Sequence, residues 1–275
     1  MIPKTLTVAG SDASGGAGLE ADLKTFEEFG TFGFCAITCI VTMDPDQNWQ
    51  HEVTPIAGDL VDKQLKTIFA GAPLQAMKTG MLGTLEAIEV TRKYIDQFDM
   101  PNIVIDPVMA CKGTNELLQP ENVALMKKLL LPKADLTTPN LLEAGILSEM
   151  GELTSIDQMK QAAKKILLLG AKNVVIKGGR RLNGDKAVDL FYDGTDFTVL
   201  EGEMFTTDFN HGAGCTFAAA CTAGLAKGFS TLESVSLAKD FVAAGIERGQ
   251  KINPFLGHLW HGAYNHAEDR LQPQE

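Results

Sequence analysis

A glycine-rich stretch that ends in a cysteine is the part of the chain best suited to chemistry. It runs from Thr206 to Phe217, includes Gly212, Gly214 and Cys215, and precedes a predicted helix of small residues over 218–228. Glycines allow a tight turn, and a helix start offers unpaired N–H groups and the positive end of its dipole to an anion. A thiol placed there is expected to have a lowered pKa, which would make Cys215 a usable base or nucleophile. On its own, this pattern favours a turn followed by a buried, inert cysteine.

Two further candidate segments follow predicted strands. The loop 11–18 after strand 5–10 is polar and rich in glycine, but it lacks the Gly-Lys-Ser/Thr ending of a P-loop. Asp12 in this loop suits a ligand contact or a helix cap. Asp106 ends the apolar run 103–106, and a carboxylate at the carboxyl end of a parallel strand is a candidate site residue. Both segments therefore predict ligand contacts at one edge of a sheet.

Two more polar segments lie later in the chain. Asn140 and Glu143 have the spacing of a capping box, which is compatible with a metal-facing role for the same carboxylate. The basic stretch 177–181 surrounds a pair of glycines at a strand end, which suits either a polyphosphate or a solvated turn.

The segment 43–52, earlier in the chain, is interpreted as a flap. In it, Trp49 and His51 fit a ring-binding edge as well as an ordinary loop.

The elements that must position these residues alternate in type along the chain. Short apolar runs alternate with amphipathic stretches, which predicts a mostly parallel sheet covered by helices on both faces. Two strands parted by Asp193 and Gly194 form a predicted antiparallel hairpin at one edge. The predicted strands are 5–10, 34–42, 76–79, 103–106, 134–137, 173–177, 186–192 and 197–200, and the predicted helices are 19–29, 58–70, 85–98, 154–169, 218–228, 234–246 and 259–268.

Composition restricts the class of protein. The chain has 275 residues, of which 45% are hydrophobic, and this suits one domain spanning 1–275 with a large core. A net charge of −11 argues against nucleic acid or an anionic membrane as a partner. No signal-peptide pattern or membrane-length apolar run is evident, and the five cysteines lack paired metal spacing. These features predict a reduced, cytoplasmic enzyme.

Six motifs in a fixed order resemble a known family. They are Ala9–Asp12 with Ser14–Gly18, Lys78–Met81, Asp106–Met109, Asn140–Glu143, Lys177–Gly179 and Gly212–Cys215. Together they resemble the ribokinase-like superfamily, in its hydroxymethylpyrimidine and pyridoxal kinase branch. Cys111 together with Cys215 is similar to the two-cysteine pyridoxal kinases of Gram-positive bacteria. The resemblance implies a three-layer α/β fold with a mostly parallel central sheet, helices on both faces and an antiparallel edge hairpin.

The resemblance also implies an activity and a set of site residues. It implies transfer of the γ-phosphate of ATP, with Mg²⁺, to the hydroxymethyl group of pyridoxal, pyridoxine or pyridoxamine. Cys215 stands where most of the superfamily has an Asp base, and Cys111 would lie on a lid and could add to an aldehyde substrate. A homodimer is also implied. The implied residues are Gly212, Ala213 and Gly214 for the transferring phosphoryl group; Gly10, Asp12, His51, Met81 and Val108 for the substrate; Asp59, Asn140, Lys177, Gly178, Gly179, Arg180, Arg181, Asp189, Gly214 and Lys239 for the nucleotide; and Glu143 with Asp106 for the metal.

Several alternative functions remain open at this point. A hydroxymethylpyrimidine and phosphomethylpyrimidine kinase of thiamin biosynthesis is the nearest, although such enzymes often carry Gln where Met43 and Asp44 lie here. A cysteine acyl- or thiol-transferase using Cys215 and His211 would need a third orienting group, and none is evident. A non-catalytic vitamin sensor would be expected to lack the acid at Glu143 or the glycine-rich turn. A sugar kinase is disfavoured because no acidic pair follows the first strand.

Overall fold

The computed structural model describes residues 1–71, 73–109, 120–180, 182 and 184–265. Nine strands form one sheet in the order β3-β2-β1-β4-β5-β6-β7-β8-β9. The strands from β2 to β7 in that order pair in parallel, whereas β3 pairs antiparallel with β2, and β8 and β9 add an antiparallel hairpin at the other edge. The bounds are β1 Lys4–Asp12, β2 Phe32–Asp44, β3 Gln50–Pro55, β4 Ala76–Thr79, β5 Ile103–Ile105, β6 Leu136–Thr137, β7 Val174–Gly179, β8 Lys186–Tyr192 and β9 Phe197–Glu203.

Helices cover both faces of this sheet, which confirms the predicted architecture. The alternate residues of the central strand β5 belong to two different buried clusters, one on each face of the sheet. Ile103 and Ile105 of β5 join one buried cluster with α2 to α6, and Val104 joins a second cluster with α7 and α8. Because successive side chains of a strand point to opposite faces, one short apolar strand feeds both cores. The helices are α1 Gly18–Glu28, α2 Gly58–Phe69, α3 Leu85–Gln97, α4 Pro120–Leu129, α5 Leu141–Ser148, α6 Ile156–Leu167, α7 Ala213–Ala226 and α8 Thr231–Glu247.

The central helix of the second face is α7, and it starts earlier than predicted. It begins at Ala213, so Gly214 and Cys215 lie inside its first turn rather than before it. Gly212 is the N-cap, with φ of 83° in the left-handed region. Most of its other residues are alanine, glycine or threonine, and they are buried. Small side chains let α7 pack closely against α1, α8 and the sheet, and this packing outweighs the low helix propensity of its glycines.

Three segments differ from the sequence-based prediction. The predicted flap is a continuation of β2 that turns through a 3₁₀ segment, Pro45–Gln47, into the unpredicted edge strand β3. The segment predicted as a helix from Leu259 holds only the 3₁₀ turn His261–Ala263 among its described residues. A small unpredicted hairpin, β10 Gln250–Lys251 with β11 Gly257–His258, precedes it. Helix α4 was also not predicted. Among the helices of the described ranges, none is long and apolar enough to cross a membrane.

Candidate active site

The candidate site lies where two glycine-rich loops meet at the start of α7. The loop after β1 and the loop before α7 pack so closely that a Cβ on Gly212 would overlap the carbonyl oxygen of Gly16. A Cβ on Gly18 would overlap the carbonyl oxygen of Gly10 in the same way. These contacts require residues without side chains. The exposed Gly214 leaves the first turn of α7 open toward solvent, as an anion-binding helix start requires.

Cys215 lies in the first turn of α7 and is half-buried. The backbone amide of Gly18 favours the ionised form of this thiol, so the loop after β1 acts on the reactive atom. Burial raises the pKa of this thiol to about 11, although Lys78 and the Gly18 amide act in the opposite direction. The predicted lowering of the pKa is therefore wrong for the ligand-free chain, because desolvation of the thiolate exceeds the pull of the nearby positive groups. At neutral pH the ligand-free protein carries a protonated thiol.

Asp12 is almost fully buried and organises the loop that follows β1. Its carboxylate accepts hydrogen bonds from Ser14 N (2.8 Å), Ser14 Oγ (2.9 Å) and Ala17 N (2.8 Å), and His211 Nε2 lies 2.8 Å from Oδ2. His211 comes from the loop before α7, so this contact ties the two glycine-rich loops together. Both carboxylate oxygens already have partners within the protein. The structure thus gives Asp12 a positioning role, and its contact with a substrate ring stays a prediction.

The Asp12 network predicts an acid-sensitive contribution to stability. Burial raises the pKa of Asp12, but the hydrogen bonds from His211 and Ser14 outweigh it and lower the pKa from 3.8 to about 2. A carboxylate with a lowered folded-state pKa stabilises the fold above its unfolded pKa, and this contribution disappears as the pH falls toward 2. We expect it to amount to about 2 kcal/mol. At pH 5, the free energy of unfolding of Asp12→Asn in urea should be lower than that of the parent. The difference between the two free energies should narrow by pH 3.

The exposed Asp157, at the start of α6, provides the matched control for this measurement. Asp157→Asn removes a carboxylate at a helix N-terminus without breaking a buried network. Its free energy of unfolding should therefore differ little from that of the parent at both pH values. A gap for Asp12→Asn that does not change between pH 5 and pH 3 would contradict the assigned role of the carboxylate.

A buried cluster of charges lies beside the start of α7. Lys177 Nζ is 3.1 Å from Asp106 Oδ1, and Thr138 Oγ1 donates to the same oxygen at 2.9 Å. The Lys177 ammonium also lies 3.5 Å from the point where a Cβ on Gly214 would be. Burial lowers the pKa of Lys177, but Asp106 and Glu143 outweigh this effect and raise it. A permanent positive charge therefore sits at the mouth of the anion-binding turn.

Glu143 caps the start of α5, as its position predicts. Its side chain accepts from Asn140 N at 2.8 Å while Glu143 N donates to Asn140 Oδ1 at 3.0 Å, so the capping box is confirmed. Burial raises the pKa of Glu143 to about 7, and the charge of Asp106 adds to this increase while Lys177 opposes it. Among the residues that the structure describes, no three His, Cys, Asp or Glu side chains form a metal-binding group. Two neighbouring carboxylates nevertheless suit Mg²⁺, which takes one or two protein carboxylates together with substrate phosphates.

Several of the predicted nucleotide residues lie on or beside β7 and β8. Gly179 N donates to Asp189 Oδ1 at 3.3 Å, and Lys239 Nζ lies 2.7 Å from Asp189 Oδ2. Gly178 is required because a Cβ there would overlap the carbonyl oxygen of Val188. Arg180, which is exposed, donates to Thr207 O at 3.0 Å. These residues form one region with the start of α7, but Lys239 and Asp189 offset each other's charge.

The predicted substrate residues are brought together only in part. Gly10 and Met81 are neighbours: a Cβ on Gly10 would lie 3.9 Å from that of Met81, and 2.6 Å from the sulfur of Cys39. Val108 is half-buried and lines a small cavity together with Gly80. His51 lies on β3, opposite Met43 of β2. Cys39 was expected only to pack in the core, and its place beside Gly10 adds it to the edge of the candidate site.

Three predicted site residues are not part of the region described above. Cys111 and Arg181 are outside the described residues, and their roles stay predictions. Asp59 is exposed at the start of α2, where it pairs with Lys63 at 2.9 Å. It lines an open depression that also contains Asp62, Glu86 and Glu89. An acidic depression repels a polyphosphate, so we do not include Asp59 in the nucleotide region.

Comparison with known proteins identifies the family of the chain. Residues 12–260 match the model of the family described as phosphomethylpyrimidine kinase. A pyridoxine kinase of Bacillus subtilis is 51% identical, over 94% of this chain and 96% of its own. A hydroxymethylpyrimidine/phosphomethylpyrimidine kinase of the same organism is 38% identical, over 96% of both chains. Of the solved structures, the pyridoxal kinase of Staphylococcus aureus in complex with AMP-PCP and pyridoxal superimposes with a TM-score of 0.91, at 50% identity, over 98% of this chain and 97% of that one.

Proposed function

The chain belongs to the phosphomethylpyrimidine kinase family and is a phosphotransferase, and on that premise we propose that it phosphorylates the hydroxymethyl group of pyridoxal with ATP. The observation that carries the proposal is the start of α7, where Cys215 and the anion-binding turn contact the loop after β1 on one side and lie close to Lys177 on the other. The relatives that are about half identical to this chain are kinases of pyridoxine or pyridoxal, which favours this substrate class.

In the proposed reaction, Cys215 is the base. The hydroxymethyl oxygen of the substrate attacks the γ-phosphorus of ATP, a new O–P bond forms, and the bond to the β-phosphate oxygen breaks. The hydroxyl proton passes to the Cys215 thiolate as this happens. Because burial raises the pKa of the thiol, the thiolate must be stabilised by positive groups of the site. Transfer to a thiolate leaves Cys215 as a thiol, which is its form in the ligand-free chain at neutral pH.

The first turn of α7 and Lys177 stabilise the charge of the transferring group. Gly212 and Gly214 present backbone N–H groups at the helix start, whereas the N–H of Ala213, which was also predicted to contribute, already donates to Asn210 O at 3.2 Å. Such fixed donors are a large part of catalysis in phosphoryl transfer. Lys177 adds a positive charge 3.5 Å from the Cβ position of Gly214. In this proposal, the glycines of β7, Arg180 and the Asp189–Lys239 pair hold the rest of the nucleotide.

Mg²⁺ is proposed as the cofactor, held by Glu143 and Asp106. The two carboxylates are buried, and the charge of Asp106 raises the pKa of Glu143, so a divalent cation would offset their repulsion. When bound, the ion supplies neutralisation of phosphate charge. Asn140 keeps Glu143 oriented through the capping box, and Lys177 orients Asp106 through its hydrogen bond.

The metal proposal predicts a change in the response to magnesium. Glu143→Gln keeps the size of the side chain and can still accept a hydrogen bond from Asn140 N. Because an amide is a weaker ligand than a carboxylate, the Mg²⁺ concentration that gives half-maximal turnover should rise about tenfold or more. Glu149→Gln provides the control, since it removes an exposed carboxylate at the other end of α5 and should leave the magnesium response unchanged. An unchanged magnesium response in Glu143→Gln would exclude this carboxylate as a ligand.

The function is tested by turnover of the purified protein with ATP and a panel of acceptors. Pyridoxal, pyridoxine and hydroxymethylpyrimidine are compared by the rate of ADP release and by identification of the phosphorylated product. The highest kcat/KM is expected for pyridoxal. A higher value for the pyrimidine would assign the chain to the second candidate function, which the family model and the 38% identical relative favour. ATP binding without turnover of any acceptor would contradict the proposal.

We also propose that the chain works in the cytoplasm as a homodimer, as the resemblance to the kinase family implies. Light scattering coupled to size-exclusion chromatography measures the mass in solution directly. A mass near twice 29.6 kDa is the expected result, and a mass equal to one chain would contradict it.

A further inference from the structure

A fully buried ion pair lies beneath the start of α7. The side chains of Lys78 on β4 and Asp22 on α1 have no exposed surface, and Lys78 Nζ lies 2.8 Å from both carboxylate oxygens. Thr7 Oγ1, from β1, donates to Asp22 Oδ2 at 2.6 Å. Burying two charges has a large desolvation cost, and well-packed apolar residues are often as stable in their place. Stability alone therefore does not account for this pair.

The position of the pair connects it to Cys215. Gly18, whose amide favours the thiolate form of Cys215, is the first residue of α1, and Asp22 lies one helical turn later on the same helix. The Lys78 ammonium also lies 3.5 Å from the point where a Cβ on Gly80 would be, in the glycine turn that ends β4. The start of α1 thus packs against the N-cap of α7 and, one turn deeper, holds the ammonium of Lys78.

We infer that Lys78, held by Asp22, is a positioning residue for the phosphoryl transfer: its buried ammonium stabilises the thiolate form of Cys215. This inference rests on the proposed function of Cys215 as the base. Lys78 opposes the desolvation of the thiolate more strongly than Asp22 reinforces it, so the pair as a whole favours the thiolate. In turn, Asp22 and Cys215 raise the pKa of Lys78 against the effect of burial, so the ammonium stays charged.

Other charged groups also influence the Cys215 thiol. Asp106 opposes formation of the thiolate, and Lys177 lies at the exposed side of the same turn. Both lysines are paired with a carboxylate, Lys177 with Asp106 and Lys78 with Asp22, and Lys78 makes the largest contribution that opposes desolvation of the thiol. Binding of a polyphosphate at the turn would bring further negative charge to the open side. A cation enclosed in the core retains its effect there because it is little screened by solvent.

The test replaces the pair with a neutral one, because loss of Lys78 alone would leave Asp22 buried and unpaired. In Lys78→Met with Asp22→Asn, the alkylation rate of Cys215 by iodoacetamide is followed from pH 6 to pH 10 by peptide mass spectrometry. We expect the rate at pH 8 to fall about tenfold, corresponding to a rise of about one unit in the thiol pKa. A second variant, Lys78→Gln with Asp22→Asn, keeps a hydrogen-bonding pair in case the first fails to fold. The control is Lys93→Met with Asp62→Asn, which removes a surface ion pair.

The alkylation measurement does not depend on turnover, so the inference and the proposed function fail separately. An unchanged alkylation profile in a folded neutral-pair variant would overturn the inference whatever the activity. A shifted profile, together with a rise of about one pH unit in the acid limb of kcat and an unchanged KM for ATP, is the expected result. A shifted alkylation profile with an unchanged kcat profile would leave the electrostatic effect in place but overturn Cys215 as the base, and with it the positioning role.

Discussion

Replacing Cys215 with alanine is expected to lower kcat for pyridoxal by about 10²- to 10⁴-fold, the usual contribution of a general base. ATP affinity should change little, since the amides of the first turn of α7 remain. The expected pH dependence follows from the raised pKa of the thiol, about 11 in the ligand-free chain. Because the thiolate is the active form, kcat/KM at limiting ATP should increase with pH from 7 to 10. In Cys215→Asp the carboxylate is ionised over this range, so the increase should be absent.

Cys221 provides the matched control for this prediction. It lies in the same helix and is fully buried, so Cys221→Ala removes a thiol without touching the turn that holds the anion. This variant should keep the turnover of the parent while losing some stability through the small cavity. If Cys215→Ala turned over pyridoxal at the rate of the parent, the proton would have to leave by another route and the thiol-base mechanism would be wrong.

The fold was largely predictable because buried parallel strands have a strong local signature. Successive residues around Val8, Val104 and Val175 are buried, so both faces of each strand are covered, and each is a central strand of the sheet. Strand β3 was missed because it lies at the edge of the sheet, where the three consecutive polar residues 50–52 precede only two β-formers, Val53 and Thr54. The start of α7 was placed too late because Gly212–Gly214 indicates a turn locally, and only the packing of the buried alanines continues the helix back to Ala213.

The candidate site was predictable as a set of positions but not as a set of interactions. Asp106, Glu143 and Lys177 each end a strand or begin a helix, and the carboxyl ends of parallel strands meet at one edge. The bond between Asp12 and His211 joins residues 199 positions apart, which no local spacing can indicate. His211 was considered only as a partner of Cys215. The pKa of Cys215 was predicted in the wrong direction because the helix dipole is visible in the sequence, whereas desolvation depends on the folded core.

The buried pair of Lys78 and Asp22 was likewise not predictable from the local sequence. Lys78 belongs to a motif that was quoted for the family resemblance, but an isolated lysine in an apolar strand carries no indication of its partner. Asp22 lies within an amphipathic helix, where a charged residue is ordinarily solvated. Only the packing of α1 against the end of β4 brings the two together and encloses them.

Replacing Gly212, the N-cap of α7, with alanine is expected to disrupt the candidate site. Gly212 has φ of 83°, which an alanine adopts only with strain, and its Cβ would overlap the carbonyl oxygen of Gly16. To relieve the overlap, the loops after β1 and before α7 must separate, and the amide of Gly18 would move away from the sulfur of Cys215. A displacement of about 1 Å at reacting groups costs roughly 100-fold in rate. We expect kcat to fall by about that factor and the free energy of unfolding to fall by about 2 kcal/mol.

Gly30 separates the effect of backbone strain from the effect of loop contact. It also has a positive φ, 69°, but a Cβ there would meet nothing within 4 Å. Gly30→Ala should therefore lose about 1 kcal/mol of stability and keep its turnover. Thermal unfolding and steady-state kinetics on the two variants provide the comparison. If Gly212→Ala behaved like Gly30→Ala in both measurements, close packing of the two glycine-rich loops would not be needed for catalysis, and the start of α7 would hold the phosphoryl group without support from the loop after β1.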